Sequence, residues 1–367
     1  MIAGADAWVP ALPADLDTPA VVVYADRLEA NIARLQAELD RRGVRLRPHV
    51  KTHKSVRIGR MQLDAGAHGL TVGTLGEAEV FAAAGIEDLF IAYPVWAAGP
   101  KVTRLRDLVE RVPGLIVGVD SADGAERLAA AAGSGLRVRV ELDSGGRRTG
   151  LRTPDAALAV ARVAQDRGLV VDGVFTHGGH GYRPGARASA AADEVDALEA
   201  AATALEADGF ELDAISAGST PTMTDAATGR VNEIRAGTYA LGDRQQWQLG
   251  AIDAEGMATV VASTVVSVSV DSVVLDAGAK ALTKDRAETL DGFGYLPAWP
   301  AALVERLYDY HAVVRFPAKD RRPAVGDRVA IVPNHVCPVV DLVDGFAMVQ
   351  PDGRWERWPV DARGRSG

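Results

Sequence analysis

The chain has 367 residues, 48% of them apolar and 24% charged, enough for roughly two domains of about 150 residues each, which excludes a peptide hormone, a disulfide-stapled scaffold and a disordered tail. A net charge of −9, with no basic block interleaved with aromatics, excludes a phosphate backbone, so no nucleic acid is expected as a partner. The lone Cys337 cannot close an internal disulfide, Asp6, Asp15 and Asp17 interrupt any signal-like start, and polar residues such as Ser263 and Thr264 break the most apolar stretch (257–270), so the expectation is a cytoplasmic protein that does not use a membrane.

An extended run at 20–24 comes first, followed by a helical pattern over 26–42. The next extended run, 44–50, ends at two lysines. Further extended candidates lie at 69–72, 88–92, 115–119, 136–142, 170–176, 212–216 and 232–239, with helical patterns between most of them. Thr153 and Pro154 predict a helix start whose stop is Gly168, and the Ala/Glu/Leu-rich stretch 188–207 reaches a stop at Gly209. Eight largely apolar strands alternating with helices predict an α/β fold, a (β/α)8 TIM-type barrel over 26–242. An open doubly wound sheet is the alternative, but no glycine fingerprint opens its first unit. Beyond Gly242 the runs are short and alternating, at 259–270, 272–275, 307–316, 328–332 and 346–350, which predicts a smaller, mainly antiparallel β domain over 243–367. Residues 1–25 join it, because the strand at 20–24 is surplus to the count of eight. The stretch 284–302 reads as a long loop, a lid or an interface arm.

Only six of the 40 basic residues are lysines: Lys51, Lys54, Lys101, Lys280, Lys284 and Lys319. Lysine, unlike arginine, can lose its proton and act as a nucleophile, so the pair at Lys51 and Lys54 stands out against the alternative of two surface charges. Active sites of such barrels lie after the strands. There the sequence places Arg47-Pro48-His49-Val50-Lys51-Thr52-His53-Lys54, then Asp143-Ser144-Gly145-Gly146-Arg147-Arg148-Thr149-Gly150, then His177-Gly178-Gly179-His180-Gly181-Tyr182. Loop seven brings Gly218-Ser219-Thr220 and the eighth strand runs into Gly237-Thr238-Tyr239, small and hydroxylated residues suited to a phosphate. A lysine facing a phosphate cradle fits pyridoxal 5'-phosphate, with Arg148 or else Arg147 at its pyridine nitrogen. In Pro333-Asn334-His335-Val336-Cys337-Pro338, an extended strand would turn His335 and Cys337 to one side, and thiolate with imidazole favours zinc. The alternatives are a small hydrophobic Cys337 and histidines (His49, His53, His177, His180) that are satisfied by hydrogen bonds in core or loops.

The run Arg47-Pro48-His49-x-Lys51-Thr52-His53-Lys54, with His177-x-x-His180-x-Tyr182 and Pro-Asn-His335-x-Cys337, resembles the metal-activated D-serine dehydratases, within the wider family of D-threonine aldolases and D-3-hydroxyaspartate-acting enzymes of the alanine racemase fold, fold type III. The likeness spans nearly the whole chain. It implies a pyridoxal phosphate barrel, a C-terminal β domain, a homodimer and Lys51 as the internal imine. It also implies that His49, Arg148, His177, Tyr182, Gly218, Ser219, Thr220, Gly237, Thr238 and Tyr239 surround the cofactor, and that His335 and Cys337 bind a divalent metal, zinc or manganese. Within the group, aldolases are expected to carry aspartate where this chain has Cys337. The implied reaction is β-elimination from D-serine to pyruvate and ammonia, with Lys51 taking the Cα proton and the metal assisting loss of hydroxide. The alternatives are retro-aldol cleavage of D-threonine or D-3-hydroxyaspartate with His53 or His180 as base, amino-acid racemisation, and a non-catalytic cofactor carrier. Arg57, Arg183 and Arg244 each remain open as clamps for the carboxylate of a small D-amino acid substrate.

Overall fold

The computed structural model describes residues 8–318 and 320–367; the start of the 1–25 segment, including Asp6, and Lys319 lie outside the described residues. The chain forms two compact units. The larger comprises Arg34–Lys51, Ile58–Gly237 and Gly364–Gly367; the smaller comprises the residues up to Ala33, Thr52–Arg57 and Thr238–Arg363. Among the described residues no helix is long and apolar enough to cross a membrane.

In the larger unit, eight parallel strands (Arg45–Leu46, Leu70–Val72, Leu89–Pro94, Ile116–Val119, Arg137–Leu142, Val170–Thr176, Ala214–Ala217 and Glu233–Ile234) pair in chain order, and the eighth pairs back onto the first. A parallel bridge between His49 and Thr71, with Thr71 N–H donating to Pro48 O at 2.9 Å, joins the first strand to the second and closes the barrel. The connecting helices start where the side chains dictate. Thr153 accepts from Ala156 N–H ahead of Pro154–Asp166, and Ser121 accepts from Gly124 N–H ahead of Ala122–Ala132. Helix Arg187–Ala207 stands where the Ala/Glu/Leu-rich pattern put it.

The expectation of apolar barrel strands is corrected at Arg137–Leu142. Strand alternation places Arg139 and Glu141 on one face and Val138 and Val140 on the other, and all four are buried. The charged face is accommodated because its partners arrive from other strands. Arg139 donates to Asp172 Oδ2 at 2.8 Å and to Glu233 Oε1 at 2.5 Å, and Arg47 donates to Glu233 Oε2 at 2.8 Å. Above them Phe90 and Phe175 meet edge to face at 5.0 Å, with Arg139 over Phe90 and Arg235 over Phe175.

The smaller unit is built on an eight-stranded sheet in the order Leu303–Leu307, Ala312–Arg315, Ser272–Leu275, Thr259–Val268, Ala20–Tyr24, Gly345–Val349, Trp355–Pro359, with Arg328–Ile331 also on Thr259–Val268. Every pairing is antiparallel except Ala20–Tyr24 with Gly345–Val349, so the surplus early strand does join this sheet. Its core gathers Val22, Trp247, Met257, Val260, Tyr295 and Val332. The single run read at 307–316 is instead the end of one strand, a turn and a second strand, and Trp355–Pro359 was not anticipated. The extended strand expected at His335–Cys337 is also corrected: His335 is extended, but Val336–Asp341 is a short helix.

Candidate active site

Lys51 sits in the turn Val50–Thr52 that follows the first barrel strand, and its N–H lies 3.4 Å from His49 Nδ1. It borders a cavity of about 390 Å³, within the range usual for small-molecule sites, lined also by His49, Glu141, Arg148, His177 and Arg235, with Gly73, Tyr93, Thr149 and Gly218 between them. Lys54 has a different fate. Its backbone takes φ +50°, its side chain is buried, and Nζ pairs with Asp341 at 2.9 Å. The structure thus separates the two lysines into one that lines a cavity and one that holds the smaller unit together.

Burial, reinforced by the charges of Lys51, Arg235 and Arg148, pushes both His49 and His177 well below the usual imidazole range, so both are neutral at neutral pH. The Tyr182 ring lies 6.2 Å from that of His177. Arg148 lines the cavity, whereas Arg147 turns through φ +52° and its N–H donates to Asp143 Oδ1 at 2.9 Å, so of the two arginines left open by the sequence Arg148 is the one at the cavity. Arg235, missed by sequence reasoning, is buried in the cavity wall and bonds Ser216 Oγ at 2.5 Å.

Loop seven does not present its donors as expected. Gly218 N–H donates to Glu194 Oε1 at 3.0 Å, Gly178 N–H donates to the same oxygen at 2.8 Å, and Ser219 N–H donates to Thr222 Oγ1 at 2.9 Å. Buried N–H groups need acceptors, and here Glu194 and Thr222 supply them. Ser219 and Thr220 are themselves buried. Of the two candidate bases, His180 is not a cavity residue; its Nε2 meets Asp193 at 2.9 Å, and its ring lies against Gly145, where a Cβ would come within 2.9 Å. His53 is fully buried in the smaller unit, with Nδ1 accepting from Ser55 N–H at 3.1 Å. Gly237 ends the larger unit's main segment, while Thr238 and Tyr239 are buried in the smaller one.

In the smaller unit His335 and Cys337 do converge, although on a helix start and not a strand. Their side chains hydrogen-bond, Asp285 Oδ2 holds His335 Nδ1 at 2.6 Å, and Thr52 Oγ1 and Thr238 Oγ1 lie 3.3 and 3.8 Å from Cys337 Sγ. Burial opposes charge on His335, but Cys337, Asp243 and Asp285 outweigh it and hold the ring up to about 10. Asp243, fully buried and pushed up to about 6 by that burial, accepts from Gln246 N–H and from Val336 N–H, so one carboxyl fixes two helix starts beside the pair. The 284–302 stretch is tied down here: Asn334 Nδ2 donates to Asp285 O and Gly292 O, and Arg244 donates to Asp291 O and Gly294 O. Arg244 is therefore a fastening for that loop, and Arg57 meets Glu356 at 3.4 Å. Among the described residues no group of three or more His, Cys, Asp or Glu side chains is arranged to hold an ion.

A lysine amine, two imidazoles held neutral and two guanidinium groups thus border one cavity after the strands of a closed barrel, a set whose charge suits a small anion. Residues 23–245 match the alanine racemase N-terminal domain family, and residues 258–349 match a serine dehydratase domain. The chain belongs to this family, and it is an enzyme, a pyridoxal phosphate-dependent lyase. It is 35% identical to D-threo-3-hydroxyaspartate dehydratase of Delftia sp. (strain HT23), over 94% of this chain and 97% of that one, and 33% identical to D-threonine aldolase of Arthrobacter sp, over 97% and 96%. D-serine dehydratase of Dictyostelium discoideum is 24% identical over 93% and 95%. The structure of a mutant D-threo-3-hydroxyaspartate dehydratase in the metal-free form superposes with a TM-score of 0.88, at 34% identity, covering 95% of this chain and 99% of that one.

Proposed function

We propose that this chain is a pyridoxal phosphate- and divalent metal-dependent dehydratase of D-3-hydroxy amino acids, with D-serine as substrate and pyruvate and ammonia as products. The observation that carries the elimination reading is the donor pair itself: Cys337 joined to a His335 whose Nδ1 is occupied by Asp285. That carboxylate leaves Nε2 as the ligating nitrogen and raises its basicity, the arrangement found behind metal-bound histidines. A thiolate and an imidazole suit zinc, with manganese as the alternative, and so small a protein donor set leaves coordination positions for substrate and water.

The cavity also fits the cofactor. Three cations, Lys51, Arg148 and Arg235, line it against one carboxyl, Glu141, so it favours an anion, and Lys51 supplies the amine that an aldehyde requires. When bound, pyridoxal phosphate draws electrons from the substrate Cα. Lys51 would serve as the base for the Cα proton, and Arg148 would help hold the cofactor. His49 and His177, both neutral, fill the wall without adding charge. His335 and Cys337 would hold the metal, which would supply Lewis-acid assistance to loss of a β-hydroxyl. Loss of water in the elimination would be balanced by uptake of water on hydrolysis, so D-serine would give pyruvate plus ammonia. A homodimer in the cytoplasm completes the proposal, and its solution mass should be twice the 38.6 kDa of one chain.

The test is to supply the purified chain with pyridoxal phosphate and zinc, offer D-serine, and measure pyruvate and ammonia together. They are expected in equal amounts, to vanish on chelation, and to return with zinc or manganese. Glycine and acetaldehyde from D-threonine, with D-serine left intact, would refute the elimination.

A further inference from the structure

We propose that Glu141 is a cofactor-contacting residue whose carboxyl group hydrogen-bonds through Oε2 to the pyridoxal phosphate held in the cavity. This rests on the cofactor reading given above and adds a residue to it.

Glu141 is the penultimate residue of strand Arg137–Leu142, on the same face as Arg139, and it is 2% exposed. Its Oε1 accepts the Thr149 hydroxyl at 2.8 Å. Glu141 lines the cavity, and its Oε2 is buried with no hydrogen-bond partner among the described residues. A buried carboxyl oxygen without a partner costs about 1–3 kcal/mol or more, so such an atom in a ligand cavity implies a partner that the chain does not itself supply.

Two other buried acids of the barrel, Glu233 and Asp172, act as structural counter-ions, and Glu141 is placed differently. Glu233 bonds two arginines, and Asp172 bonds Arg137 and Arg139, whereas Glu141 has no guanidinium bonded to it. Burial, helped by the Asp120 charge, outweighs the Thr149 hydrogen bond and the charges of Arg148 and Arg235, which favour the carboxylate, and pushes the carboxyl up to about 7. The other cavity cations, Lys51, Arg148 and Arg235, are donors, and His49 and His177 stay neutral. Glu141 is thus the lining group that changes from donor to acceptor near neutral pH. The ring nitrogen, phenolic oxygen and phosphate oxygens of the cofactor are all acceptors, so the acid form is the one that binds.

The experiment uses the full chain reconstituted with pyridoxal 5'-phosphate, and compares wild type, Glu141→Gln and Glu141→Ala. Glutamine keeps a donor in place and removes the titration. In wild type the affinity for the cofactor is expected to fall with an inflection near pH 7 as the pH rises, and Glu141→Gln is expected to abolish that inflection while retaining affinity. Glu141→Ala is expected to bind the cofactor about tenfold more weakly, the upper end of what one hydrogen bond contributes. Infrared difference spectra of wild type need no variant to fold: adding the cofactor should shift a carboxylic-acid carbonyl band. An inflection that survives in Glu141→Gln, an unchanged affinity in Glu141→Ala, or no shift of an acid carbonyl band would overturn the role of Glu141 and leave the proposed function standing. A wild-type protein that forms no visible band with the cofactor would overturn both.

Discussion

Replacing Glu233 by glutamine tests the charged barrel interior directly. Glu233 is fully buried; it accepts from Arg47 Nε at 2.8 Å, Arg139 Nη1 at 2.5 Å and Ser216 Oγ at 2.6 Å, and both arginines are at most 1% exposed. Glutamine keeps the volume and one acceptor but removes the charge, leaving Arg47 to Asp88 and Arg139 to Asp172. Breaking a buried pair from one side costs about 3–5 kcal/mol. In a unit of roughly 200 residues, where 1 kcal/mol moves the midpoint by about 2–4 °C, that is a fall of about 6–20 °C. Burial alone would raise the Glu233 pKa, but Arg139, Arg47 and Ser216 hold it well below the usual carboxylate range. A depressed pKa contributes stability that is complete above the ordinary glutamate value of 4.5 and is lost as pH falls toward the folded-state value. The deficit of the variant should therefore be constant from neutral pH down to about that value and shrink below it. Calorimetry, which resolves the two units if they unfold separately, is the assay. A fall of less than about 2 °C at neutral pH, or a deficit that grows on acidification, would refute the account of the ion pairs.

The two lysines should part company. Lys51→Ala is expected to lose all borohydride-fixable cofactor, whereas Lys54→Met should keep it while losing about 1–2 kcal/mol of stability, a cost tempered by the one-third exposure of Asp341; covalent labelling retained in Lys51→Ala would sink the assignment. Asp285→Ala should weaken zinc binding roughly 10–100-fold, read by competition with a chromophoric chelator, because His335 loses the carboxylate that orients it. Unchanged zinc affinity in that variant would show that the ring is held by other contacts.

Features set by neighbouring residues were legible in the sequence. Thr153 with Pro154 starts a helix through a bond made within three residues, and the strand at Ala20–Tyr24 was recognisable as surplus and did join the second sheet. The candidate loops after strands one, five and six do supply the cavity with His49, Lys51, Arg148 and His177. What failed was decided at long range or by elements too short to show a period. Six helical residues at Val336–Asp341 cannot be told from an alternating strand by hydrophobic spacing. His335 and Cys337 converge there all the same, and Asp285, which orients the ring, lies 50 residues away in a stretch read only as loop.

The charged barrel interior marks the deeper limit. The segment Arg137-Val138-Arg139-Val140-Glu141-Leu142 alternates openly, and so does Glu233-Ile234-Arg235, but alternation says only that two faces differ, not that the polar one is dry. A strand with charges on one face reads as half-solvated unless their partners are known, and Arg139 finds Glu233 across 94 residues of chain. Once those partners are in place, the pattern becomes informative in the other direction. From Asp172 through Arg139, Glu233, Ser216 and Arg235, each buried polar side chain bonds the next, and the series reaches the cavity with Arg235. Glu141 shares a strand face with Arg139 and borders the same cavity, yet among the described residues its side chain bonds only Thr149. Glu194 also leaves its Oε2 buried without a hydrogen bond, but Glu194 does not line the cavity; Glu141 does, and there a ligand can supply the partner.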